Sequence, residues 1–328
     1  MGKGNSLRIG VIGVGHLGNF HLKQLRNIPN IIISGLYDIN KKRSSLMSKN
    51  HNVQCFSSID NLLNSSDAVS IVTPTHTHFK ISKQALERGC HIFIEKPITD
   101  NLADARSLLK KAKQEKKIIQ VGHIERFNPG FIALKKINPN PQFIEVHRLA
   151  PFNPRGNDVP VILDLMIHDL DIIISLLGNK VKDVRANGVS VSSKSIDIAN
   201  ARLVFNNGCV VNLTASRISQ KEMRKMRLFS QNSYITIDFK EKLLEEYKIH
   251  NNKNQLKKND KVFEIGEDNK KYVIYNKPPI IKHDALKEEL NHFIKSIHNN
   301  SSPKTDGKSA TEALNIALKI QSKIDKQK

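Results

Sequence analysis

The chain has 328 residues, 39% of them apolar, and sets 52 lysines and arginines against 31 acids for a formal net charge of +21. That length admits two domains with real cores. No apolar run reaches the length of a membrane span and residues 1 to 6 lack the apolar segment of a signal peptide, so a soluble, cytoplasmic protein is expected. Only 13 of the 52 cations are arginine, and no aromatic residues are interleaved with them. The charge therefore reads as a lysine-rich solvated surface with some capacity to draw in an anionic substrate, and no nucleic-acid or membrane partner is expected. The three cysteines, Cys55, Cys90 and Cys209, lack metal-ligand or Cys-x-x-Cys spacing and read as reduced structural thiols.

Leu7 to Ile12 is a short apolar run suited to a strand buried on both faces. Gly13-x-Gly15-x-x-Gly18 follows, and Leu17, Phe20, His21 and Leu25 then recur at helical spacing. Gly13 permits the tight turn, Gly15 lets a pyrophosphate approach the backbone and Gly18 lets the helix pack closely. The helix start at His16 and Leu17 supplies unpaired N–H donors. A second strand, Ile31 to Tyr37, ends at Asp38, twenty residues past Gly18. A carboxylate there accepts hydrogen bonds from adenosine ribose hydroxyls and repels a 2′-phosphate, so NAD is favoured over NADP. Lys41, Lys42 and Arg43 come next and keep a phosphate-accepting alternative open.

Ala68 to Thr73 reads as another strand, stopped by Pro74 and followed by a helix over 79–88. Gly89 leads into a strand from His91 to Ile94, which closes in Glu95-Lys96-Pro97. A helix over 102–114 and a strand over 118–122 complete the series. Alternation of this kind predicts a parallel, doubly wound sheet covered on both faces: a dinucleotide-binding domain over residues 1–123. Glu95 and Lys96 end a parallel strand, which places them at the crevice where such sheets hold ligands. There the ammonium can steer a substrate hydroxyl.

From about Gln142 the strands lengthen: 142–148, 181–191, 198–205, 209–217, 224–230 and 233–239, with Asn206-Asn207-Gly208 as a hairpin turn. They predict an α/β domain over 124–328 with a large open, mostly antiparallel sheet. The segment 251–271 reads as solvated hairpins or loops. Helices over 284–298 and 311–326 close the chain, the last of them a candidate to pack back on the first domain. One long helix, 161–177, interrupts the strands, and on it Asp164, His168 and Asp171 are spaced i, i+4, i+7 on one stripe. A histidine between carboxylates suits a general base taking an alcohol proton. The rival reading is a metal half-site; it lacks a third ligand, and no metal is expected. A hydrogen-bonded stripe without chemistry is the other alternative.

In order, Gly-x-Gly-x-x-Gly, Thr73-Pro74-x-x-x-His78, Glu95-Lys96-Pro97 and Asp164-x-x-x-His168 resemble the glucose-fructose oxidoreductase, inositol dehydrogenase and MocA (Gfo/Idh/MocA) family over nearly the whole chain. The resemblance implies a Rossmann domain, then an α/β domain whose open sheet forms homo-oligomer contacts. It implies cofactor contacts from Thr73, Pro74, His78, Glu95 and Lys96. It also implies that Lys96 and His168 face the reacting carbon and that Asp164 helps to bind substrate. The stretches 122–129 and 147–155, with 163–169, are similar to a nucleotide-sugar branch of that family, the UDP-N-acetylglucosamine 3-dehydrogenases that open the route to a 2,3-diamino sugar of lipid A. A UDP pyrophosphate requires cationic partners, for which Arg126, Arg148, Arg155 and Arg217 are candidates. Many family members carry glycines before the 161–177 helix and at the position of Met166, which this chain does not. The alternatives are a dehydrogenase of inositol, another sugar or a UDP-uronic acid, and an NAD-binding regulatory protein without catalysis.

Overall fold

The computed structural model describes residues 6–152, 159–178, 180–252, 261–266 and 271–327. The chain divides into two compact units, residues 1–127 with 284–315 and residues 128–283 with 316–328. The division is thus discontinuous, where the sequence suggests one boundary after residue 123. The cause is a late helix, α8 (Ala285–His298): its Leu286, Leu290, Phe293 and Ile294 are buried in the same cluster as Leu7, Ile9, Val11, Leu22 and Phe93 of the first unit.

In the first unit β1 (Leu7–Ile12), β2 (Ile31–Tyr37), β3 (Ala68–Ile71), β4 (His91–Glu95) and β5 (Ile119–Gly122) form a parallel sheet in the order β2-β1-β3-β4-β5. Beyond β2 a single parallel bridge joins Leu36 to Cys55. Leu36 N–H donates to Gln54 O at 2.8 Å and Phe56 N–H to Leu36 O at 2.9 Å. That bridge occupies the place of one further strand and completes the doubly wound order 3-2-1-4-5-6. The chain leaves β1 toward β2 on one side and reaches β3 on the other, so the switch in direction falls beside the glycine turn.

Helices α1 (His16–Leu25), α2 (Lys41–His51), α3 (Ile59–Asn64), α4 (His78–Glu87) and α5 (Leu102–Gln114) connect the strands. The apolar periodicity does not announce α2, because Lys-Lys-Arg-Ser-Ser-Leu-Met-Ser-Lys-Asn-His is polar nearly all round. Its ends are nevertheless encoded: Asn40 caps it by accepting Arg43 N–H, and Asn52 terminates it in the left-handed region. The buried stripe of α1 is Gly18, His21, Leu22 and Leu25. Leu17 and Phe20, expected on that stripe, are 44% and 39% exposed.

The second unit holds α6 (Pro129–Ile137), β6 (Phe143–Leu149), α7 (Ile167–Leu177), β7 (Val181–Val189), β8 (Ile198–Phe205), β9 (Val210–Ser216), β10 (Met223–Ser230), β11 (Ser233–Asp238), β12 (Leu243–His250), β13 (Lys261–Ile265) and β14 (Lys271–Asn276). The strands form one sheet, β13-β14-β12-β11-β10-β6-β9-β8-β7, antiparallel except where β6 meets β9. The Asn-Asn-Gly turn joins β8 to β9 with Gly208 at φ +84°. Part of the 251–271 segment is strand: β13 pairs with β14, and β14 with β12, which the sequence reading omits. One face of the sheet buries Val146, Leu203, Leu213, Met226, Ile235 and Leu244, with α6 against β11 and β12. Along the opposite face Phe143, Phe229, Tyr234, Tyr247 and Tyr275 form a row, neighbouring rings 5.0 to 5.7 Å apart. The final helix, α9, runs over Gly307–Asp325. Among the described residues no helix is long and apolar enough to cross a membrane.

Candidate active site

The carboxyl ends of β1 to β4 open onto a cleft of about 700 Å³ in the first unit. Gly13, Gly15, His16 and Leu17 line it from the glycine turn, Asp38 from the end of β2, Thr73 and Pro74 from the end of β3, and Glu95 and Lys96 from the end of β4. Convergence of these segments follows from the parallel sheet, which brings every strand out at the same edge.

The turn is shaped for a ligand. Gly13 has φ +86°, and a Cβ there would sit 2.5 Å from Val72 O. A Cβ on Gly18 would meet Gly13 O at 2.0 Å, so this glycine serves helix–turn packing and does not line the cleft. Gly15 is different: the nearest atom to a Cβ on it is Arg43 Nη1 at 3.9 Å, leaving open space above the backbone. Gly15 also begins α1 with no side chain capping the helix. Open space beside uncapped N–H groups fits a pyrophosphate.

Asp38, 8% exposed, is held rigidly. Its Oδ2 accepts Val14 N–H at 2.9 Å and its Oδ1 accepts Asn40 N–H at 2.8 Å, while Arg43 Nη1 lies 3.5 Å from Oδ2. Oδ1, with one of these donors, keeps a second lone pair that a ribose hydroxyl can use. Beside it stand Ile39, Ile59 and Ile81, with Lys80 and Gln84 at the rim. The sequence reading missed this apolar slot, which suits the flat face of an adenine. One signal was available: Ile39 directly follows the acid that ends β2, and in the fold it is 89% exposed.

His78 lies behind the cleft wall. It is 1% exposed, its Nδ1 is 2.9 Å from Pro97 O and its Nε2 2.8 Å from Thr73 O. Burial lowers its pKa, opposed by those two carbonyls and by the charges of Glu95 and Asp100. The ring thus sits between the Thr73-Pro74 and Lys96-Pro97 turns, donating to one of the two carbonyls when neutral, and it does not line the cleft.

In the second unit the 161–177 helix is not uniform: Ile162–Met166 is a π turn, and α7 follows. Asp164 falls in the π turn and His168 in the first turn of α7, both half-buried, while Asp171 is fully buried. Asp164 and His168 thus share partial exposure across the junction of π turn and helix, and Asp171 does not. Among the described residues no group of three or more histidines, cysteines or acids is placed to hold a metal.

The arginines sort by burial. Arg148 is 4% exposed and forks onto Asp169, Nε to Oδ2 and Nη2 to Oδ1 each at 2.8 Å. Arg217 is 5% exposed, donates to Val159 O and to Ile196 O, and lies 3.6 Å from Asp197. Both are thus engaged in holding the second unit together. Arg126 is half-buried on a 3-10 turn, Ile124–Phe127. Arg155 lies outside the described residues.

Comparison with known proteins places this geometry in context. Residues 7–123 match the model of an oxidoreductase family with an NAD-binding Rossmann fold, and residues 147–236 match the C-terminal domain of Gfo/Idh/MocA proteins. The chain is 36% identical over 320 residues, 97% of each chain, to UDP-N-acetylglucosamine 3-dehydrogenase of Acidithiobacillus ferrooxidans. The solved structure of an enzyme of that name and organism superposes with a TM-score of 0.87 at 35% identity, covering 98% of both chains. Myo-inositol 2-dehydrogenase of Thermotoga maritima is 28% identical over 229 residues, 64% of this chain and 69% of that protein.

Proposed function

Because the chain belongs to the Gfo/Idh/MocA family of NAD-binding oxidoreductases, we propose that it oxidises a ring hydroxyl of a nucleotide sugar, the 3-hydroxyl of UDP-N-acetylglucosamine, to the ketone. The observation that carries this reading is the 36% identity to a UDP-N-acetylglucosamine 3-dehydrogenase along 97% of both chains. An inositol substrate has weaker support, because the similarity to the myo-inositol enzyme spans 64% of this chain.

NAD, when bound, supplies the two-electron acceptor that takes the hydride from the carbinol carbon. The cleft residues do the rest. Gly15 and the start of α1 hold the pyrophosphate, Asp38 the adenosine ribose, and Ile39, Ile59 and Ile81 the adenine. Lys96, ending β4, hydrogen-bonds the alcohol oxygen and stabilises negative charge as it develops there. His168 accepts the hydroxyl proton, with Asp164 orienting the sugar. Arg126 and Arg155 are the proposed partners of the UDP phosphates.

Incubation with NAD and UDP-N-acetylglucosamine is expected to produce reduced cofactor. Lys96→Ala and His168→Ala are each expected to lower kcat on the order of 10²- to 10⁴-fold, with the KM for NAD changed far less. Turnover of myo-inositol but not of the nucleotide sugar would remove the substrate assignment, and unaltered turnover in Lys96→Ala would remove that residue from the chemistry. A cytoplasmic location and a downstream aminotransferase acting on the 3-keto sugar, as in a diamino-sugar route to lipid A, belong to the same reading. So does a homo-oligomer formed through the aromatic row of the open sheet: Tyr234→Lys is expected to reduce the mass measured by light scattering.

A further inference from the structure

We infer that His21 is a positioning residue for Lys96, acting through the Glu95 carboxylate; the inference rests on Lys96 serving the oxidised carbon. His21 occupies the buried stripe of α1 with no exposed surface. Apolar residues usually fill such a position, because a polar ring there costs stability unless its nitrogens are paired. Both are paired, by residues of two different strands. Nδ1 lies 2.8 Å from Ser70 Oγ of β3, and Nε2 lies 3.0 Å from Glu95 Oε1 of β4. The edge-on contact with Phe93, ring centroids 5.3 Å apart, fixes the plane of the imidazole.

The direction of the chain of bonds follows from its end. An ionised carboxylate only accepts, so Nε2 carries a proton and donates to Glu95; in the neutral ring Nδ1 is then the acceptor for the Ser70 hydroxyl. Glu95 Oε2 in turn accepts the backbone N–H of Lys96 at 3.3 Å. The other side of the carboxylate is closed by Gly122, which pairs with Glu95 across β4 and β5. A Cβ on Gly122 would come within 2.8 Å of Oε1 and 2.9 Å of Oε2. The carboxylate is held between an imidazole and a bare Cα, and the N–H of Lys96 is held by the carboxylate. His78 Nδ1 lies 2.9 Å from Pro97 O, at the next residue. Two buried imidazoles, one from α1 and one from α4, thus lie against the backbone on either side of the Lys96 side chain.

Misplacement of a catalytic group by about 1 Å costs on the order of 10²-fold in rate. His21→Phe fills the cavity but gives Glu95 no donor, and it is expected to lower kcat about 10- to 100-fold while the KM for NAD stays within about threefold. His21→Gln, whose amide can donate to Glu95, is expected to recover most of that loss. Gly122→Ala supplies an independent displacement, because the three atoms nearest to its Cβ all belong to the Glu95 carboxyl group; it is expected to lose kcat as His21→Phe does. Nitrogen-15 spectra of histidine-labelled protein, with the His21 signals assigned by their absence from His21→Gln, are expected to show a proton on Nε2.

Wild-type kcat in His21→Phe, a Gln variant as slow as the Phe variant, or an Nε2 without a proton would each overturn the inference. Rates are taken as ratios to wild type on whichever of UDP-N-acetylglucosamine and myo-inositol the protein oxidises. Failure on the nucleotide sugar alone then removes the substrate assignment and leaves these ratios intact. Inactivity on both would overturn the role of Lys96 and this inference with it.

Discussion

The Asp38 carboxylate accepts the backbone N–H of Val14 at 2.9 Å, so the acid that ends β2 is tied to the turn that follows β1. The same group also lines the cleft, which couples cofactor choice to turn geometry in the proposed reading. Asp38→Ala is expected to raise the KM for NAD by about 10- to 100-fold, the size of one or two hydrogen bonds to a charged group. It also removes the charge facing Arg43, 3.5 Å away, so that the guanidinium can meet a 2′-phosphate and the preference for NAD over NADP narrows. Comparing kcat/KM for the two cofactors checks both effects; an unchanged ratio would confine Asp38 to holding the turn.

Two glycines three residues apart predict opposite failures. Gly18→Ala drives a Cβ into Gly13 O, 2.0 Å away, and backbone cannot swing aside as a side chain can. Expected is a loss of at least the 1–3 kcal/mol typical of overpacking, with NAD binding lost alongside. Gly15→Ala meets nothing nearer than 3.9 Å. It is expected to melt as wild type does while NAD affinity falls at least about tenfold, because the new methyl occupies the approach to the pyrophosphate. Calorimetry for stability and titration for binding separate the two.

Arg148 and Asp169 are 4% and 2% exposed and bonded in parallel. Removing one partner strands a buried charge, and Arg148→Ala is expected to lose roughly 3–5 kcal/mol in urea unfolding. The double change Arg148→Met with Asp169→Leu leaves no uncompensated charge and is expected to recover most of that loss. A double variant no more stable than Arg148→Ala would refute the pairing as the reason Arg148 is there.

The parallel sheet and the cleft were legible because their signals are local. A buried parallel strand is a continuous apolar run, and Gly13, Gly15, Gly18 and Asp38 are fixed by the turn they share. What was not legible depends on partners distant in sequence. Nothing around Arg148 or Arg217 announces a buried ion pair; the partners Asp169 and Asp197 lie 21 and 20 residues away. His21 reads as one more residue of an apolar stripe until Ser70 and Glu95 arrive from separate strands. The stretch 41–51 lacks apolar periodicity, so only its caps mark it as helix. Leu17 and Phe20 show the converse: helical spacing predicted burial, and the helix turned them outward beside the cleft.

Acid sensitivity follows from His91, at the start of β4. Its Nδ1 accepts Ile118 N–H at 3.1 Å, so the ring cannot take a proton there without losing the bond. Burial, then the charge of Lys117, lower its pKa to about 4, against the opposing pull of Asp67. The unfolded chain holds this proton with a pKa of about 6.5. A base whose proton affinity is lower in the folded state contributes fully above about pH 6.5, and its contribution declines as the pH falls toward about 4, by at most about 3 kcal/mol. The lowered pKa values of His51, His78 and His292 act in the same sense. His91→Asn keeps an acceptor for Ile118 without the titration. Urea unfolding at about pH 7 and about pH 4.5 is therefore expected to show the wild type losing more stability than the variant, by on the order of 2 kcal/mol. Parallel losses in the two proteins would mean that His91 is not the group responsible.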